Sequence, residues 1–324
     1  MYREDYELPT PPDRRNASKI SKAIQQLGGD IIKHDVAREI LEQIADMHLT
    51  MRRAKRRVGM LLYGHPGAGK STLVEAYAES FPREQEAERT RVPVLYVKTP
   101  GQPTAKALSE QALIELGDPC ADKGGAEQKM KRLLTLSEKC GVEMVILDDI
   151  QHLCDNLNQR DRSIAADTIK NWMDKTSIPF VFAGTPTSRN FFIEDKQLGR
   201  RVSPKLELPA FCFATDAQQK SFMKLLVAFN ERLPFGATSA LVHEENPERL
   251  FLACGGLIGY LVRLIEEATL IALRSKSGEL TTRVLERAFG VAIYPEVAPS
   301  RNPFSEKFNG DPLRGPGEPF ADML

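Results

Sequence analysis

Apolar positions along the chain change period twice. From Val36 to Met47, the residues Val36, Ile40, Leu41, Ile44 and Met47 recur at helical spacing and predict an amphipathic helix. Short runs with few charges follow: Val58 to Tyr63, Val94 to Val97, Val142 to Leu147, Phe180 to Ala183 and Leu206 to Leu208. Such runs read as parallel strands covered on both faces. Helical stretches at 104–116, 126–140 and 162–174 separate them, so the alternation predicts an open α/β sheet with crossover helices. After Pro209 the strands stop. Helices are expected at about 215–230, 246–254, 257–275 and 281–291, with Leu257, Ile258, Leu261, Val262, Leu264 and Ile265 facing inward, a small helical lid.

Both ends are polar and proline-rich. Residues 1–29 are expected to be an N-terminal arm whose first 16 residues order, if at all, against a partner. Residues 30–210 then form the α/β domain and 211–292 the lid. Residues 293–324 carry Pro295, Pro299, Pro303, Pro312, Pro316 and Pro319, so a flexible tail is expected, with Phe304, Phe308, Phe320 and Leu324 as anchors for a partner.

Composition narrows the class. The chain has 324 residues, 42% of them hydrophobic, enough for one large or two modest domains. Lys+Arg and Asp+Glu are each 44, so nucleic-acid contact must come from local clusters. Five dispersed cysteines without a C-x-x-C pair point to a reducing cytoplasm and no zinc site, and His34, His48, His65, His152 and His243 are too scattered for a metal. Neither a signal core nor a membrane-length apolar stretch is present, so no membrane role is expected.

The most specific chemistry is Gly64-His65-Pro66-Gly67-Ala68-Gly69-Lys70-Ser71, followed by Thr72, which matches G-x-x-x-x-G-K-[ST] between a strand and a helix. Glycines let backbone N–H groups curl around a phosphate, Lys70 reaches the β- and γ-phosphates, and Ser71 offers a hydroxyl to Mg²⁺. The sequence MVILDDIQH then places Asp148 at a strand's carboxyl end, where it would hold magnesium with Ser71. Asp149 would orient the attacking water. Thr185, after the fourth strand, either senses the γ-phosphate or caps a turn. Arg201 is either a trans-acting arginine finger for a neighbouring subunit's nucleotide or part of a structural ion pair, with Arg200 the second candidate.

For nucleic acid, the loop after the second strand offers Lys98 and Thr99, with Lys106, Lys123 and Arg160, and Arg162 beside them, as phosphate contacts lacking sequence preference. The run Arg52 to Arg57 precedes the first strand. Six strand residues at about 3.3 Å each put it roughly 20 Å from the phosphate loop, as a solvated face or a contact for DNA or an acidic partner.

With this phosphate loop, LDDIQHL, FAGTP, QLGRR before a short strand, and GGLIGYLVRLI in a helical lid, the chain resembles an AAA+ ATPase. More narrowly, residues 30 to 292 resemble the TniB and TnsC family of transposition regulators, with the phage protein MuB a more distant relative. The resemblance implies an AAA+ P-loop fold with a five-stranded parallel sheet and a C-terminal helical lid. It implies ATP- and Mg²⁺-dependent assembly of a homo-oligomeric filament or ring on double-stranded DNA. It also implies recruitment of a separate transposase and a link to a TniQ-type target selector. Asp149 stands where such proteins usually carry glutamate, which implies slow, switch-like turnover. Gly259 occupies the usual place of the lid arginine, and Arg263, one turn later, is the expected nucleotide contact. The competing readings are a helicase loader or replication initiator, which usually appends a winged-helix reader, and a signalling ATPase without DNA.

Overall fold

The computed structural model describes residues 21–22, 34–53, 56–87, 89–155, 157–235, 239–243, 246–275 and 278–323. The N-terminal arm, apart from 21–22, and part of the basic run Arg52 to Arg57 lie outside these residues. The described residues divide into two compact units, one within Lys33–Ala210 and one within Phe211–Leu324.

The first unit is built on five parallel strands: β1 (Gly59–Tyr63), β2 (Val94–Lys98), β3 (Met144–Asp148), β4 (Phe180–Gly184) and β5 (Val202–Glu207). Their order is β2-β3-β4-β1-β5. Strands β3 and β4 are buried at every position, as their uninterrupted apolar runs require, whereas the edge strand β5 is largely exposed and carries Pro204 and Lys205. Helix α1 (Asp35–Arg53) precedes the sheet and buries Ala37, Ile40, Ile44 and Met47. Val36, expected on that face, is exposed, because the buried stripe runs through Ala37 instead. Crossover helices α2 (Lys70–Glu79), α3 (Ala105–Glu115), α4 (Ala126–Lys139), α5 (His152–Asp155), α6 (Gln159–Thr176), α7 (Ser188–Glu194) and α8 (Lys196–Arg201) complete the unit. Trp172 of α6 packs edge-on against Phe180, which stacks on Phe182, and this aromatic column anchors β4 in the core.

Parallel pairing fixes the function-bearing end. Register partners Tyr63 and Gly184, and Lys98 and Asp148, end their strands together. The segments after β1, β2, β3 and β4 therefore emerge at one edge of the sheet.

The second unit holds α9 (Asp216–Asn230), α10 (Asn246–Cys254), α11 (Ile258–Arg274) and α12 (Thr282–Ala292). Leu261, Leu264 and Ile265 of α11 and Leu285 and Phe289 of α12 are fully buried, whereas Ile258 and Val262 are half-buried. Thr215 and Gln218 form a capping box at the start of α9.

The residues after α12, expected to be a flexible tail, are packed instead. Residues after α12 fold as an irregular strap with Phe304, Leu313 and Phe320 buried. Arg301 forks onto both carboxylate oxygens of Glu318 at 2.6 and 2.7 Å and donates to the Pro312 carbonyl, while the Asn302 amide donates to the Glu286 carbonyl. Prolines lower the entropy of ordering such a segment, and side-chain donors satisfy the carbonyls that regular structure would otherwise have paired. Among the described residues no helix is long and apolar enough to cross a membrane.

Candidate functional site

The loop from Gly64 to Ser71 runs from β1 into α2. Gly67 and Gly69 have φ of 80° and 96°, a region that residues with a Cβ adopt at a cost, and Gly69 caps α2 from that conformation. Its turn is closed by the Ala68 amide on the His65 carbonyl at 3.1 Å, and the loop is tied to β4 by the Gly64 amide on the Gly184 carbonyl at 3.3 Å. His65, Pro66 and Gly67 are open to solvent or half-open, whereas Ala68 is buried. Lys70 is 8% exposed and its ammonium donates to the His65 carbonyl at 2.9 Å. Burial lowers its pKa from the ordinary lysine value, and the carboxylates of Asp148 and Asp149 pull the other way, so the three groups share one electrostatic environment. Ser71 and Thr72 follow in the first turn of α2, whose free N–H groups favour an anion.

Asp148 ends β3 at 1% exposure. Its Oδ1 accepts the Asp149 amide at 2.8 Å and its Oδ2 accepts the Tyr96 hydroxyl at 2.8 Å. Asp149 sits at φ 55°, an uncommon conformation for a non-glycine residue, and its Oδ1 accepts the Gln151 amide at 3.0 Å. The Ser71 hydroxyl and the Asp148 carboxylate, the two groups expected to hold a metal, are hard oxygens, and each Asp148 oxygen retains a second lone pair. That chemistry fits Mg²⁺ completed by phosphate and water. Tyr96 escaped the sequence reading. It lies on β2 two residues before Lys98 and reaches Asp148 only through strand pairing.

The Thr185 hydroxyl is at the same edge, bonded to the Thr187 hydroxyl at 2.7 Å within the turn after β4. Arg201 is engaged inside its own chain: it donates to Asp174 at 3.1 Å and to the Gln197 carbonyl at 3.2 Å. Arg57 also lies 3.8 Å from Asp174. The ion-pair alternative is thus the one observed, whereas Arg200, its neighbour in α8, is exposed and forms no ion pair among the described residues. Arg263 lies exposed on α11 in the second unit.

Of the surface cations, Lys98, Lys106, Lys123 and Arg160 are exposed. Thr99 is not available for DNA: it is 4% exposed, because the alternation of β2 carries it inward and its amide donates to the Asp148 carbonyl at 2.9 Å. Arg162 donates to the Leu157 carbonyl at 3.0 Å and pairs with Glu194. Lys123 stands in a loop whose carbonyls at Cys120 and Lys123 are held by Arg132. His152 is half-buried in α5.

The profile of the bacterial TniB protein family matches residues 23–211. No curated protein matches the chain. Among solved structures, the Aeropyrum pernix ORC2 protein in its ADPNP-ADP complexes superimposes with a TM-score of 0.60 at 15% identity, over 85% of this chain and 72% of that one. The Aeropyrum pernix ORC1 protein in complex with DNA gives 0.61 at 16% identity, over 86% and 70%. A Walker-type ATPase of Pyrococcus abyssi gives 0.52 at 18% identity, over 82% and 76%. At these identities the likeness establishes the fold, an α/β P-loop core followed by a helical region.

Proposed function

Since the chain belongs to the TniB family of AAA+ ATPases, we propose that it is an ATP-dependent, DNA-binding regulator of transposition. In this reading the nucleotide-bound protein assembles into a homo-oligomeric filament or ring on double-stranded DNA without sequence preference. There it recruits and stimulates a transposase and links it to a TniQ-type target selector. The observation that carries the nucleotide half is the buried Lys70 at the end of a glycine loop entering α2, at the same edge of the parallel sheet where β3 ends in Asp148. The family membership supports the rest.

Lys70 and the α2 N-terminus hold the phosphates, and Ser71 with Asp148 would hold Mg²⁺. The metal would neutralise the phosphates' charge when bound. Asp149 orients the attacking water with a short side chain on a constrained backbone, which supports slow, switch-like hydrolysis. Thr185 lies within reach of this edge as the γ-phosphate sensor. The trans-acting finger is assigned to Arg200, because Arg201 is occupied by Asp174. Lys98, Lys106, Lys123 and Arg160 provide the contacts to DNA phosphates. Four such contacts give a slope of about −3.6 in log affinity against log salt, at about −0.9 each.

Electron microscopy of the protein with duplex DNA and a non-hydrolysable ATP analogue tests the reading. Ordered filaments or rings are expected only when both are present, and stimulation of a cognate transposase follows their formation. A helicase loader or replication initiator is the second reading, motivated by the likeness to ORC proteins; it requires loading of a helicase and no effect on a transposase. Absence of DNA retention in filter binding at low salt would remove both.

A further inference from the structure

We infer that Tyr96 is a positioning residue for Asp148, holding the carboxylate assigned to the metal in one orientation; the inference rests on the nucleotide-site reading above. Tyr96 belongs to β2, a different strand from the one carrying Asp148, and to none of the motif segments. Its hydroxyl nevertheless donates to Asp148 Oδ2 at 2.8 Å. The same strand end holds the backbone of that residue, because the Thr99 amide donates to the Asp148 carbonyl at 2.9 Å. The end of β2 therefore fixes both the main chain and the side chain of Asp148.

The terminal torsion of an aspartate is broad and roughly two-fold, so a carboxylate without fixed donors swings about its axis. Here each oxygen has one donor, the Asp149 amide on Oδ1 and the Tyr96 hydroxyl on Oδ2. Together they define the plane of the group and leave each oxygen a second lone pair for water or metal. At 1% exposure Asp148 lacks bulk water to replace a missing donor, which makes the phenol's proton consequential. Partners of this kind, one bond removed from a metal, typically cost 10- to 100-fold in metal affinity or activity when mutated.

The test is Tyr96→Phe, which keeps the ring and deletes the hydroxyl. Mg²⁺ is titrated into the protein with ATP present, and nucleotide binding is followed by calorimetry. The Mg²⁺ midpoint is expected to rise about tenfold. In a double-mutant cycle, Tyr96→Phe added to Asp148→Asn is expected to cost no more than Asp148→Asn alone, since Tyr96 acts through that carboxylate. A folded Tyr96→Phe protein with a parental or lower midpoint overturns the inference, as does simple additivity in the cycle. A purely structural role would lower the Tm and leave the midpoint in place, which also overturns it. Parental protein that binds ATP without regard to Mg²⁺ would instead bring down the metal-site reading on which the inference stands.

Discussion

Replacing the two arginines of α8 one at a time separates two roles that adjacent residues cannot share. Arg201 pairs with Asp174 at 3.1 Å, with side chains 26% and 33% exposed, so the pair is partly solvated. Such pairs contribute at most about 1 kcal/mol. For a chain of this size that loss lowers the Tm by about 2 °C. Arg200 has no such partner among the described residues, and a trans-acting finger is worth about 10³ to 10⁵ in rate, or about 4 to 7 kcal/mol of transition-state stabilisation. Arg201→Ala is therefore expected to show a small fall in Tm and a near-parental ATPase rate, since about 1 kcal/mol changes the folded-to-unfolded ratio about fivefold and leaves a stable chain almost wholly folded. Arg200→Ala should keep the parental Tm and lose the component of ATPase activity that rises with protein concentration on DNA. The assays are thermal unfolding and steady-state hydrolysis across a protein concentration series. Should Arg201→Ala abolish the concentration-dependent rate at an unchanged Tm while Arg200→Ala retains it, the assignment drawn from the ion pair is wrong.

Three further outcomes follow from single contacts. Phe320 is 3% exposed and its ring lies against Gly255 and Tyr260, so Phe320→Ala should cost about 3–5 kcal/mol locally and reduce hydrogen-exchange protection in α11; unchanged protection would refute the packed strap. Gln151 holds the Asp149 carboxylate, and Gln151→Leu is expected to slow hydrolysis about tenfold while ATP binding by calorimetry persists; an unaltered kcat would deny it that role. Lys98→Ala should flatten the salt dependence of DNA binding by about 0.9, whereas Thr99→Val, at a buried position, should leave the slope alone; equal effects would contradict the burial argument.

The placement of the candidate site's segments was legible in the sequence because its parts are local. Gly64 to Ser71 needs only a strand before it and a helix after it, and Asp148 needs only the apolar run that ends at it. The features that escaped depend on contacts between distant segments. Tyr96 meets Asp148 across 52 residues of chain, and Arg201 meets Asp174 across 27. Nothing in either local pattern announces the partner. Thr99 was within reach of the two-residue alternation of β2, with Val97 and Thr99 on the inward side and Lys98 between them, but its loop-like neighbours Pro100 and Gly101 masked that period. The strap after α12 was misjudged because its prolines and glycines were weighed as obstacles to regular structure. Irregular chain can still pack when buried side chains and pairs such as Arg301 with Glu318 satisfy it.

Calorimetric titration of Mg-ATP into the parental protein and into Lys70→Ala tests the account at its root. Saturable binding by the parent, lost in Lys70→Ala at an unchanged fold, is the predicted result. No measurable binding by the parent, or equal binding by both, would contradict it.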